Sequence, residues 1–419
     1  MILVYLLVSI LPLSKHPFWS GYLADVTVIK YVGLACLTYA LFYFATKTIR
    51  PPYFKSQQSR WFLIYFVLTV ISYFSQGPAF SLDKNPLISY VSFLLFFFVA
   101  MTVVDSLGRL RWVLLVAIGS VGWASLYILR EWQKYGGAVR PGWVVGDANY
   151  FTASALLCLP LAYYLAADSR RPQWERLFCA GCIVVTLMAV TIGASRGGLL
   201  GLLAASMLIA LRSRRPLCNT LVVTTVLLLV SVLSPVSPLQ RLLNPSKVDQ
   251  RSAEARTMVW AAGLRMFMSN PLAGIGLGNY KAQVVFFRVP NQPLADGAIA
   301  HVAHNTYVEI LAEMGLMGLV AFLAMLVTTF SGLERVQHRT AKGGPVLVNR
   351  AALGLQAGLL AFAVAAFFVS AQYQKLFWLM LFLSMGLPVL ARRTAAGLRA
   401  RPESGSKATT SVGAASPLR

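Results

Sequence analysis

Charge is what this chain has least of. Only 12% of its 419 residues are charged, against 57% hydrophobic, and mean hydropathy is +0.66. That composition excludes a soluble domain of this size and fits a polytopic helical membrane protein. Acidic residues are the scarcer sign, 14 against 37 Lys and Arg, which leaves few carboxylates to hold Mg²⁺. The five cysteines, at 36, 158, 179, 182 and 218, fall inside or beside apolar runs. Cys179-Ala-Gly-Cys182 lacks the solvent-facing turn and second ligand pair that redox or zinc chemistry needs, so it reads as helix packing. Short alternating segments are missing too, which excludes an outer-membrane barrel. There is no internal repeat and no inverted pair of broken helices of the kind many transporters carry.

The apolar runs that remain are separated by short polar loops and read as helices, because a lipid-exposed backbone must satisfy its own hydrogen bonds. They give about twelve transmembrane helices, roughly 2–14, 28–46, 61–76, 87–104, 112–129, 150–167, 174–193, 197–211, 217–235, 305–333, 350–371 and 374–391. The expected fold is all-α. The first run has neither a basic flank nor a cleavage site and is expected to stay as a helix. Net charge is +23, but the basic clusters at Lys47–Arg60, Arg170–Arg176, Arg212–Arg215, Arg335–Lys342 and Arg392–Arg393 alternate with sparsely charged loops. By the positive-inside rule these loops and both termini are cytoplasmic, and the excess of charge is topology rather than a nucleic-acid footprint. The expected organisation is a membrane domain over residues 1–393, including one long periplasmic loop at 236–304, and a disordered cytoplasmic tail over 394–419.

Within the long loop, Ser252 is expected to cap a helix running to about Met268, with Trp260, Leu264 and Phe267 on one stripe. Such a helix could lie on the membrane surface or act as a lid. Arg256 and Trp260 are four apart and share a face. Asn270-Pro271-Leu-Ala-Gly274-Ile-Gly276-Leu-Gly278-Asn279 fails the dinucleotide fingerprint, since it follows a helix and has Asn279 at the final glycine position. It reads as a multi-turn connection.

Polar groups gather in His301-Val-Ala-His304-Asn305-Thr-Tyr307-Val-Glu309-Ile-Leu-Ala-Glu313, at the threshold of an apolar helix. Ionisable groups there are costly, so a functional site is the default expectation. His301 and His304 could pair on a metal only if further ligands converge, with Asp296 the nearest acid; no metal is expected. His304 alone suits a general base, and equally a helix cap or a partner of a backbone carbonyl. Asn305, Glu309 and Glu313 repeat every four residues and form one inward stripe, whose two glutamates are expected to pair with arginines such as Arg196 or Arg256. Arg196, in the turn Ser195-Arg196-Gly197-Gly198, reads either as an arginine snorkelling to headgroups or as an anion clamp at a helix start.

Taken in order, Gly146-Asp-Ala-Asn149-Tyr, Ser195-Arg196-Gly197-Gly198, Arg256-Thr-Met-Val-Trp260, Asn270-Pro271-Leu-Ala-Gly274-Ile-Gly276-Leu-Gly278-Asn279, and His304-Asn305-Thr-Tyr307-Val-Glu309 with Glu313-Met-Gly315 resemble the O-antigen ligase and polymerase superfamily. The resemblance covers roughly residues 140–325 by motif and the whole chain by topology. It implies a glycosyltransferase-C-like membrane enzyme in the bacterial inner membrane, with its active site on the periplasmic face. The implied reaction moves a glycan from an undecaprenyl-diphosphate carrier to an acceptor hydroxyl on a glycolipid or glycan, such as a lipid A-core, without metal or cofactor. On that match Arg196 and Arg256, with Arg265 assisting or substituting, hold the diphosphate, and His304 acts on the acceptor hydroxyl. Ser195, Asn149, Asn305, Tyr307, Glu309 and Glu313 support them. A polymerase extending the same carrier-linked glycan remains the alternative, and a lipid-linked glycan transporter a more distant one.

Overall fold

The computed structural model describes residues 1–13, 28–46, 56–77, 85–136, 147–213, 216, 247–288, 302–341 and 344–399. Among them every regular element is helical: α1 (Ile2–Ile10), α2 (Val28–Thr46), α3 (Gln57–Gln76), α4 (Pro86–Val103), α5 (Leu107–Lys134), α6 (Ala148–Ala166), α7 (Gln173–Ile192), α8 (Arg196–Leu211), α9 (Lys247–Ser269), α10 (Tyr280–Phe287), α11 (Thr306–Ala341), α12 (Val346–Ala365) and α13 (Lys375–Arg399), with 3₁₀ turns at Leu11–Leu13 and Ala366–Phe368.

Many helix starts follow from short polar side chains that accept from the first free N–H groups. Ser56, Asn85, Ser106, Asp147 and Ser195 do this for α3, α4, α5, α6 and α8, and Pro86 supplies a preset first residue for α4. Among the described residues, seven helices are long and apolar enough to cross a membrane: α2, α4, α5, α7, α11, α12 with its 3₁₀ extension, and α13. The chain is a helical membrane protein. The expected span 217–235 lies outside the described residues.

At the centre lies α13, whose fully buried Trp378 touches the rings of Phe62 and Tyr65 on α3, Tyr90 and Phe93 on α4, and Phe377 and Phe382 on its own helix. Around this core α12 packs along α6, α8 and α11, while α5 pairs with α7. Small residues allow the closest approaches: a Cβ on Gly358 would lie 2.5 Å from the Leu157 carbonyl oxygen. The cysteines also pack, with the Cys182 thiol against Gly122 of α5 and the Cys158 thiol near the Ala117 carbonyl.

Three boundaries differ from expectation. The run read as one helix over 305–333 is α11, broken at Gly315, whose φ of 65° and ψ of −165° separate a short leading segment from a long apolar one. α9 begins at Lys247, so Ser252 lies inside it rather than capping it; the preceding residues carry the helix further than a local cap signal implies. α13 runs to Arg399, past the expected boundary at 393.

Candidate functional site

His304 stands two residues before α11, with φ at +49°, one of two non-glycine residues among those described with positive φ. Its conformation is fixed from both sides. Upstream, the Trp260 indole N–H of α9 donates to the Ala303 carbonyl at 2.8 Å. Downstream, the Asn305 side-chain oxygen accepts from the N–H groups of Tyr307 (2.9 Å) and Val308 (3.1 Å). Asn305 thus caps the start of α11. Thr306 is fully buried, donates to the Val369 carbonyl at 2.7 Å and accepts from the Ala371 N–H at 2.9 Å. The Tyr307 hydroxyl donates to the Ala363 carbonyl at 2.7 Å.

The start of α8 meets this one through the turn that follows α12. Ser195 is buried and its hydroxyl accepts from the Gly198 N–H at 3.1 Å. The residue before it, Ala194, has φ of +43°, so both candidate segments enter their helices through a left-handed residue and a capping side chain. Gly197 and Gly198 are needed for close approach. A Cβ would lie 2.7 Å from Cβ of Phe368 at the first and 2.2 Å from Cγ2 of Thr152 at the second. Phe367 in turn packs on Tyr307 with ring centroids 4.3 Å apart. The first turns of α6, α8 and α11 are thus joined, and with them Asn149 (one turn before Thr152), Ser195, Arg196, Asn305 and Tyr307. Arg196 is half-buried at the first position of α8.

Beneath His304 the stripe points inward as expected, but its partners differ. Glu309 and Glu313 are buried, and the donors that meet them are neutral rather than arginines. Glu309 accepts from the Ser370 hydroxyl and, at 2.9 Å, from the Gln372 amide. Glu313 accepts from the Tyr280 N–H at 3.3 Å and from the same Gln372 amide at 3.4 Å. The Gln372 oxygen accepts from the Tyr90 hydroxyl at 3.1 Å, and that hydroxyl also lies 3.0 Å from Tyr65. The chain bends away from helical geometry at residues 369–374, so two polar side chains from the last connection reach carboxylates one and two turns into α11.

The glycine-rich segment 270–279 docks on the break in α11. The Ile275 and Gly276 N–H groups donate to the carbonyls of Ala312 (2.9 Å) and Glu313 (3.1 Å), and the Leu316 N–H donates to the Pro271 carbonyl at 2.8 Å. Backbone groups that the kink takes out of the helix ladder are thereby paired again. Gly274, with φ of +72°, has no room for a side chain: a Cβ would sit 2.3 Å from the Glu313 carbonyl carbon. This connection is multi-turn, as its sequence indicates, and its task is to seat α9 and α10 against α11. Ala262, Met266, Ile275, Tyr280, Val284, Ala303 and Ala312 form the small core between them. Burial, with the nearby carboxylates, pushes the Tyr280 phenol well above its ordinary range, so it remains a donor, here to the Val259 carbonyl.

The arginines divide. Arg256 lies one turn before Trp260 on the same face of α9, and so on the side of Ala303 and His304. Arg265 instead donates to the Phe287 carbonyl at 2.9 Å, capping the end of α10 where a cation is favourable. His301 and Asp296 lie outside the described residues. No cluster of three or more His, Cys, Asp or Glu that could hold a metal occurs among the described residues. Gln372 and Ser370 were missed from the sequence. The only signal was the polar string Ser370-Ala-Gln372-Tyr-Gln374 across the junction of the last two apolar runs.

Residues 181–323 match the family model described as O-antigen ligase. The matched stretch contains Ser195, Arg196, Arg256, Arg265, the glycine-rich segment and the whole His304–Glu313 stripe. Among curated proteins, none matches the chain. The match supports the resemblance to the O-antigen ligase and polymerase superfamily over that stretch.

Proposed function

We propose that the chain is a glycosyltransferase of the ligase kind, moving a glycan from an undecaprenyl-diphosphate carrier to an acceptor hydroxyl on the periplasmic face. What supports this reading most is the treatment of His304. Its backbone is held in an unfavourable conformation by Trp260 on one side and Asn305 on the other, and the helix it leads into is linked through Phe367 and Phe368 to the helix start that carries Arg196. Strain retained at a titratable residue among convergent elements is characteristic of a working side chain.

In the proposed reaction the acceptor oxygen attacks the anomeric carbon of the donor glycan. The bond from that carbon to the phosphate oxygen breaks, and the carrier diphosphate leaves with the bonding electrons. The neutral imidazole of His304 takes the acceptor's hydroxyl proton. Negative charge grows on the departing diphosphate, where the guanidinium forks of Arg196 and Arg256 stabilise it. Arg265 of α9 has further N–H groups beyond the one given to Phe287 and assists from there. A single displacement inverts the anomeric centre. Glu309 and Glu313, held by Ser370 and Gln372, fix the first turns of α11 rather than touch substrate.

The test is transfer in vitro with purified protein, a defined undecaprenyl-diphosphate glycan and alternative acceptors. Product on a glycolipid acceptor is expected. Product only on a second carrier-linked glycan would make the chain a polymerase, and retention of anomeric configuration would remove the direct displacement.

A further inference from the structure

The long apolar part of α11 carries an exposed stripe on one side: Leu316, Val320, Leu323 and Val327 are 48, 49, 40 and 63% exposed and follow at helical spacing. On a helix that crosses a membrane such a stripe faces hydrocarbon. It is too short. From Leu316 to Phe330, after which the exposed positions become Ser331, Glu334 and Arg335, the rise is roughly 21 Å at 1.5 Å per residue. The hydrocarbon layer is about 30 Å thick, and tilt only lengthens the deficit. Something else must cover the remaining ~9 Å, between one and two helical turns.

The surface that continues the stripe belongs to α9 and the segment after it. Leu272 abuts Gly315, its carbonyl oxygen 2.3 Å from where a Gly315 Cβ would be, and is 65% exposed. Met268 and Leu264 follow back along α9 at intervals of four, 65 and 47% exposed. Further back the same outward side changes character, to Thr257, Ala253 and Gln250, all exposed. A water-borne lid would carry polar residues along the whole of that side. An apolar end joined to a lipid-facing stripe and a polar end leading away from it describe a helix entering the bilayer obliquely.

We propose that the outer-leaflet hydrocarbon is the partner of this surface, with Leu264, Met268 and Leu272 immersed and the first half of α9 in the headgroup and aqueous zone. The crossover falls between Thr257 and Leu264, at the level of Trp260, whose indole suits the interface. Arg256 and His304 then lie at headgroup height. The inference stands on the exposed stripe and the docking of Leu272. It does not depend on the proposed reaction, and its test reads no activity.

The experiment is nitroxide labelling of single cysteines at 257, 264, 268, 272 and 320 in liposomes, with Cys36, Cys158, Cys179, Cys182 and Cys218 replaced by alanine. Collision with oxygen against a water-soluble nickel chelate reports depth. Positions 264, 268 and 272 are expected to show oxygen-dominated collision rising toward the value at 320, with 257 dominated by nickel. Nickel-dominated collision at 264, 268 and 272, equal to that at 257, would overturn the proposal. Where the cysteine-free chain does not fold, diazirine-bearing lipids photolysed on the unaltered protein give the same decision: adducts within 264–272 support immersion, and adducts confined to the spanning helices overturn it.

Discussion

At φ of +49° the His304 backbone lies in the left-handed region, which costs a non-glycine residue on the order of 1–2 kcal/mol. Glycine pays no such steric cost. The His304→Gly protein is therefore expected to unfold no more easily than the unaltered chain, and to be about 1 kcal/mol more stable than His304→Ala, which keeps the strain. Both should lose transfer. A thermal unfolding series in one detergent checks the first expectation, and equal stability of the two variants would show that the conformation is not strained. Arg196→Lys keeps the charge but loses the bidentate fork, so donor turnover should fall about 10- to 100-fold. Normal donor affinity and rate in that variant would remove the diphosphate role.

The break in α11 is an element made by contact between two distant stretches. With φ of +65° and its absent Cβ only 2.3 Å from the Leu272 carbonyl oxygen, Gly315 accepts no side chain without moving backbone. Gly315→Ala should destabilise by about 2–3 kcal/mol and separate α9 from α11, read as faster proteolysis within 247–288. Gly181, in α7 with nothing within 4 Å of an added Cβ, is the contrast: Gly181→Ala should be neutral or up to ~1 kcal/mol stabilising. Similar losses for the two would mean that the docked loop adds nothing. These two glycines also mark what could be read from the sequence. Helix positions followed from apolar runs, and Glu313-Met-Gly315 was visible as a string. That Gly315 breaks the helix could not be read locally, because the groups that satisfy the broken ladder come from Pro271, Ile275 and Gly276. The same reason hid Gln372 and Ser370, which lie about 60 residues beyond the glutamates they meet, and turned an expected arginine pairing into one with neutral donors. The stripe Asn305–Glu309–Glu313 needed only a period of four, and it did point inward.

For the whole molecule, the first turns of α6, α8 and α11 are joined, and α9 seats Trp260 against the entrance to α11. That convergence draws on stretches spread over more than 150 residues, which is why the ordered series of motifs was informative while each motif by itself was weak. In a deletion strain, the ligase reading predicts long carrier-linked chains that stay unattached, seen by electrophoresis of extracted glycolipids; single repeat units would point to a polymerase. The central claim is that His304 serves the transfer step on a carrier-linked glycan. Its most direct test uses purified, liposome-reconstituted protein with a defined undecaprenyl-diphosphate glycan and a glycolipid acceptor, comparing the unaltered chain with His304→Ala at equal inserted amounts. The expected result is inverted product from the first and none from the second, whereas near-equal rates from the two would contradict the account.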